Sequence, residues 1–121
     1  MGKFSNLPRT TQIGDRLWRV EDDFTYTPKK YPPVTIKAGY ETDGASVPRL
    51  LWSLIPPFGK HFYGAIVHDR LYKEYKDITS PIKRSRKQCD DIFLEAMKDL
   101  GVNFTKRYTI YWAVRGFGWA H

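Results

Sequence analysis

The 121-residue chain contains one cysteine, Cys89, so no internal disulfide can form and the fold must hold by packing or by a bound ion. That fits a reducing compartment or a virion. Long apolar runs are scarce. The longest uncharged one, Leu50 to Phe58, is about half of what a helix needs to cross a bilayer, and Pro56 and Pro57 interrupt it. No segment is expected to span a membrane. Met1 to Thr10 carries Lys3 and Arg9 but no apolar stretch and no small-residue cleavage site, so it does not read as a secretory signal. No acidic spacing matches an EF-hand loop, no Cys/His array suggests zinc, and there are no repeats or low-complexity stretches. Acidic residues are in the minority, 13 against 20 Lys and Arg. The resulting formal charge of +7 favours anionic partners such as nucleic acid, lipid headgroups or cell-wall polymers without choosing among them.

What the chain has in quantity is aromatic side chains: four Trp, eight Tyr and seven Phe, with 41% of residues apolar overall. That argues against disorder and for one packed domain over 1–121, with about 1–14 as an extended arm. Leu17, Trp18 and Val20, then Phe24 and Tyr26, are separated by charges, and Asp22-Asp23 could turn the chain between them into a short hairpin. After Pro32-Pro33, the alternation of Val34, Ile36 and Ala38 predicts a strand with one buried face, ended by Gly39.

From Pro48 the pattern turns helical. Ser46 can cap and Pro48 can occupy the first turn of a short helix carrying Leu50, Leu51, Trp52 and Leu54, ending at Pro56. Residues 61–76 lack proline and include one glycine, Gly64. Residues 84–100 place Cys89, Ile92, Phe93, Ala96, Met97 and Leu100 at helical intervals, with Gly101 suited to the C′ position. Asn103 could cap a last helix from Phe104 to about Gly116, where Tyr108, Tyr111, Trp112 and Arg115 repeat on one side. Asp77 to Pro81 reads as a loop. The expected class is α+β: a small N-terminal antiparallel hairpin or sheet, then three to four helices, two of them long, antiparallel and carrying the site.

The chemistry gathers on those two helices. His68 shares a helical face with Gly64, Ala65, Leu71, Tyr72 and Tyr75 and should point inward. The small residues one turn before His68 and Asp69 would leave room for a small pocket. On the facing helix Asp90 lies roughly 90° from the apolar stripe, whereas Asp91 points roughly 170° away, into solvent. An inward Asp90 could hold one imidazole nitrogen of His68 while the other acts as general base on water. Alternatively His68 is a core histidine satisfied by one hydrogen bond, and Asp90 pairs with Arg86 one turn before it. The run Thr42-Asp43-Gly44-Ala45-Ser46-Val47-Pro48 is either a structural elbow or an oxygen-rich loop offering Asp43, near Asp69, to a hard cation such as Ca²⁺. Lys83, Arg84, Arg86 and Lys87, with Lys106-Arg107, read as a solvated face or as a nucleic-acid contact, the latter without any accompanying recognition motif.

Taken in order, Tyr40 to Arg49, Val67-His68-Asp69-Arg70-Leu71-Tyr72 and Cys89-Asp90-Asp91-Ile92-Phe93 resemble the phage-encoded domain of unknown function family 1353 over about residues 15 to 118. The resemblance implies a viral origin but no activity. A second, local resemblance is to secreted phospholipase A2, whose catalytic helix reads H-D-x-x-Y. It implies His68 as general base, Asp69 as calcium ligand, Asp90 as the second carboxylate and Tyr72 as the tyrosine bracing it, although the disulfides of those enzymes have no counterpart here. Two classes of function follow. One is a small hydrolase acting on an envelope lipid or a cell-wall ester or amide. The other is a non-enzymatic virion (tail) or assembly component that contacts other phage structural proteins and uses the His/Asp cluster as a structural network.

Overall fold

The structure, a computed structural model, describes residues 2–14, 17–42, 61–76, 79 and 84–117. The elbow from Asp43, the expected helix between Pro48 and Pro56, and Asp77, Ile78 and Lys83 lie outside the described residues. Among the described residues six short strands precede three helices: β1 (Lys3–Phe4), β2 (Thr10–Gly14), β3 (Leu17–Val20), β4 (Phe24–Thr27), β5 (Val34–Ile36), β6 (Glu41–Thr42), α1 (Phe62–Lys76), α2 (Arg86–Asp99) and α3 (Phe104–Phe117). The class is α+β.

The strands form two antiparallel sheets of order β1-β4-β5 and β2-β3-β6. The hairpin expected over Leu17 to Tyr26 is therefore corrected: β3 and β4 belong to different sheets. The Asp22-Asp23 side chains explain why. Asp22 accepts from the Arg9 backbone and guanidinium, and Asp23 Oδ1 accepts from the Ala38 amide at 2.7 Å, so each acid ties the crossing chain to a different neighbour. Residues 2–14 supply an outer strand to each sheet, pairing Lys3 with Thr27 and Thr10 with Val20. Val34 and Ile36 are buried while Thr35 is exposed, as the alternation predicts, but the strand stops at Ile36: Ala38, expected on the buried face, is exposed in a turn where its amide donates to Asp23, and Gly39 follows at φ +94°, a conformation that favours glycine.

The helices begin and end on readable signals. Ser85 caps α2 in a reciprocal capping box with Gln88, Gly101 follows the helix at φ +83°, and Asn103 accepts from the Lys106 amide at 2.8 Å at the start of α3. Contacts between α1 and α2 run in opposite directions along the two chains: Gly64 meets Phe93 and Met97, His68 meets Asp90, and Leu71 meets Cys89, so the pair is antiparallel. One core cluster joins Val20, Phe24, Tyr26 and Ile36 of the sheets to Ile66, Leu71 and Ile92 of the helices. A second, with Ala65, Phe93, Met97, Ile110 and Val114, locks the three helices together. Tyrosines pin the layers at polar points: Tyr26 donates to Asp99 at 2.6 Å and Tyr40 to Asp69 at 2.8 Å.

Candidate functional site

His68 sits mid-way along α1 on its buried face, and the ring is fully buried. Phe93 of α2 stacks on it with centroids 4.7 Å apart and planes 19° apart, and Tyr72, one turn along α1, lies tilted at 4.3 Å. The room expected beside Gly64 and Ala65 is filled: a Cβ on Gly64 would stand 3.4 Å from Phe93 and 3.5 Å from Met97. Small residues here serve the close approach of two helices, which brings the Phe93 ring onto the imidazole.

Asp90 reaches the same point from α2 and is itself fully buried. Its Oδ1 is 2.6 Å from His68 Nε2 and accepts from the Tyr72 hydroxyl at 2.9 Å. Its Oδ2 accepts from Arg115 Nη1 at 2.9 Å. Burial on its own would raise the Asp90 carboxyl, but the hydrogen bonds from His68, Arg115 and Tyr72 outweigh it and hold the group below the usual carboxylate range. Burial, followed by the Asp90 charge and hydrogen bond, raises the Tyr72 phenol well above its ordinary value, so it stays a donor. Because an ionised carboxylate can only accept, the hydrogen on the His68 ring is assigned to Nε2. Nδ1, also buried, has no hydrogen-bond partner among the described residues.

Three residues singled out from the sequence, His68, Tyr72 and Asp90, are thus brought together. Asp69 is not among them. Its carboxylate leans to the other flank of α1, where Oδ2 accepts from Tyr40 and lies 3.6 Å from Lys73, whose ammonium also stands 4.5 Å over the Tyr40 ring. A hard-cation site needs about six to eight oxygens. Among the described residues no group of three or more His, Cys, Asp or Glu is placed to hold a metal ion, and Asp43 lies outside them.

Two expectations about the acids on α2 change. Asp91 is not directed into solvent: it accepts from Tyr111 of α3 at 2.6 Å and from Lys87 at 2.7 Å. The cation on Asp90 is Arg115 rather than Arg86, which instead donates to the Arg115 carbonyl at 3.4 Å. Arg115 is the residue that sequence reasoning missed. A signal existed, since a buried carboxylate requires a cation or several donors, and Arg115 is the one basic residue in the last turn of α3. Of the basic run at the start of α2, the described members are engaged with neighbouring groups. Arg84 is buried against Glu74 and the Pro32 carbonyl, and Lys87 is paired with Asp91. Cys89, next to the site, is buried, and that burial pushes its thiol up to about 12, so it is a packing residue rather than a nucleophile.

A family profile described as a protein of unknown function, DUF1353, matches residues 18–114. The chain belongs to this family. The matched range holds the DUF1353 chain's His68, Tyr72 and Asp90 and stops one residue short of Arg115. This DUF1353 protein is also 27% identical over 104 residues to an uncharacterized protein, y4jT, of Sinorhizobium fredii (strain NBRC 101917 / NGR234). That alignment covers 84% of the chain and 29% of the relative, so the chain spans less than a third of the relative's length. No solved structure matches the chain. Neither match carries a phage origin or a phospholipase with it.

Proposed function

We propose that this DUF1353 chain is a small hydrolase in which His68 activates water against an ester or amide of a cell envelope. The observation that supports it is the division of labour on one ring: Nε2 is held by Asp90 at 2.6 Å, and Nδ1 carries no bond among the described residues. With Nε2 as the donor, a neutral ring keeps its lone pair on Nδ1, the state a general base requires. Arg115 supports the arrangement from the other side: its Nη1 holds Asp90 Oδ2 at 2.9 Å, leaving Oδ1 for the ring. In the proposed step Nδ1 takes a proton from water as the water oxygen adds to the carbonyl carbon. Collapse of that adduct breaks the bond to the leaving group, which receives the proton from His68. Asp90 orients the ring throughout, and Tyr72 and Arg115 orient Asp90.

A calcium ion at Asp69 is a separate proposal that depends on Asp43 and its neighbours, because Asp69 alone supplies too few oxygens. Thermal melting with and without calcium, in the wild type and in Asp69→Asn, tests it: a calcium-dependent rise confined to the wild type supports it, and identical curves reject it. A phage protein of this kind would act in the host cytoplasm during infection or from the virion.

One observation favours a second reading. The His68 ring is fully buried and stacked, which suits a structural network in a virion or assembly component. His68→Asn separates the two. The hydrolase reading expects release of fatty acid or acyl groups from phospholipid vesicles or acylated wall fragments by the wild type, loss of that turnover in the variant, and a melting temperature changed by a few degrees at most. Unfolding of the variant, with no substrate cleaved by the wild type, supports the structural reading, as does a fixed copy number in purified particles.

A further inference from the structure

The outer face of α3 has no role in the site, yet it carries the largest exposed aromatic side chains among the described residues. Phe104 is 66% exposed and Trp112 is 64% exposed, with Tyr108 between them at helical spacing. The three positions follow one another at intervals of four, a stripe roughly 12 Å long on a helix. The Arg107 guanidinium lies over this stripe, 5.4 Å from the Phe104 ring and 5.7 Å from the Tyr108 ring, and Lys106 adjoins it. Phe104–Phe117 contains Lys106, Arg107 and Arg115 and no acidic residue. The opposite side of the same helix is committed inward through Ile110 and Val114.

We infer that the Phe104–Tyr108–Trp112 face of α3 docks on an anionic lipid surface. Aromatic rings with a polar edge, flanked by cations, suit the headgroup boundary, where apolar area is buried and the charge meets lipid phosphate. Charge decides against a second copy of the chain as the occupant. A symmetric contact through this face would gather Lys106 and Arg107 of both copies into one patch, with no acid on the helix to answer them. Ring geometry decides against a nucleic-acid strand. Phe104 and Tyr108 touch at 4.7 Å with planes 43° apart, and Tyr111 meets Trp112 edge-on at 5.1 Å, so the rings engage one another instead of standing as parallel platforms for bases. Among the described residues no helix is long and apolar enough to cross a membrane. The inference stands without the hydrolytic reading.

Flotation with phosphatidylcholine vesicles, alone or with phosphatidylglycerol, tests it. The wild type is expected to float with the anionic vesicles, less so as salt rises. Trp112→Ser should weaken that binding by about tenfold and Arg107→Gln by about fivefold, with melting of Trp112→Ser unchanged because the indole is exposed. Flotation is read on the wild type whether or not it cleaves lipid, and on Trp112→Ser and Arg107→Gln, neither of which touches His68, which keeps failure of the hydrolytic reading distinct from failure of this one. Equal binding to neutral vesicles, or undiminished binding by Trp112→Ser, overturns the inference. So does a concentration-dependent dimer that Trp112→Ser abolishes, or competition by single-stranded DNA that requires Trp112.

Discussion

His68 has an acid beside it in sequence, Asp69, and an acid beside it in space, Asp90, and the two live in different surroundings. Asp90 is fully buried and takes three side-chain donors from two helices. Asp69 has a side chain 28% exposed and shares a phenol and an ammonium at the rim. Adjacent residues on a helix diverge by about 100°, so the H-D pair cannot serve one atom, and the partner of the imidazole has to come from another element. The same residue type is therefore a packed acceptor on one flank of α1 and a partly solvated tether on the other.

The sharpest test of that contrast is Asp90→Ala, which strands the donors of His68, Tyr72 and Arg115 in the interior. Removing one partner of a buried charged network costs about 3–5 kcal/mol, and urea denaturation should read a loss in that range. A loss of under about 1 kcal/mol would put Asp90 in the same class as Asp69. Arg115→Met is next: Asp90 loses its cation while keeping two hydrogen bonds, an expected loss of about 1–3 kcal/mol.

The Asp90 carboxyl, held low in the fold, contributes stability that is fully present above the unfolded value of about 4 and lost as pH falls through the folded one. Arg115→Met should bring the folded value up and shrink the acid-dependent part of the unfolding free energy, measured by urea titrations stepped from pH 6 downward. Acid profiles that superimpose would argue that Arg115 does not set the charge state of Asp90. The smallest effect belongs to Asp69→Asn, under about 1 kcal/mol for a solvent-screened pair. A larger loss in the same denaturation assay would erase the difference between the two flanks.

Much of this arrangement could be read before folding was considered. The stripe of Cys89, Ile92, Phe93, Ala96 and Met97 located α2 and placed Asp90 at its inward edge, and turn chemistry at Gly101 and Asn103 marked where one helix ends and the next begins. The sheets were harder. Strands of two to five residues carry too little periodicity to show which neighbour each will choose, and Asp22-Asp23 looked like a turn because the distant donors to its carboxylates, Arg9 and Ala38, are invisible locally. Arg115 was legible as a member of a helical repeat but not as a partner of Asp90, and Asp91 was misjudged because a wheel drawn for one helix knows nothing of the Tyr111 hydroxyl on the next.

Local sequence by itself determined the helices, their caps, the buried face of β5 and the inward aim of His68, because propensity, capping and hydrophobic spacing act within a few residues. Only the tertiary structure decided that β3 and β4 part into separate sheets, that Phe93 fills the space beside the imidazole, and that Arg115 completes the set of donors on Asp90. Those outcomes depend on which surfaces meet across the core, and a buried charge takes whichever cation the packing delivers to it.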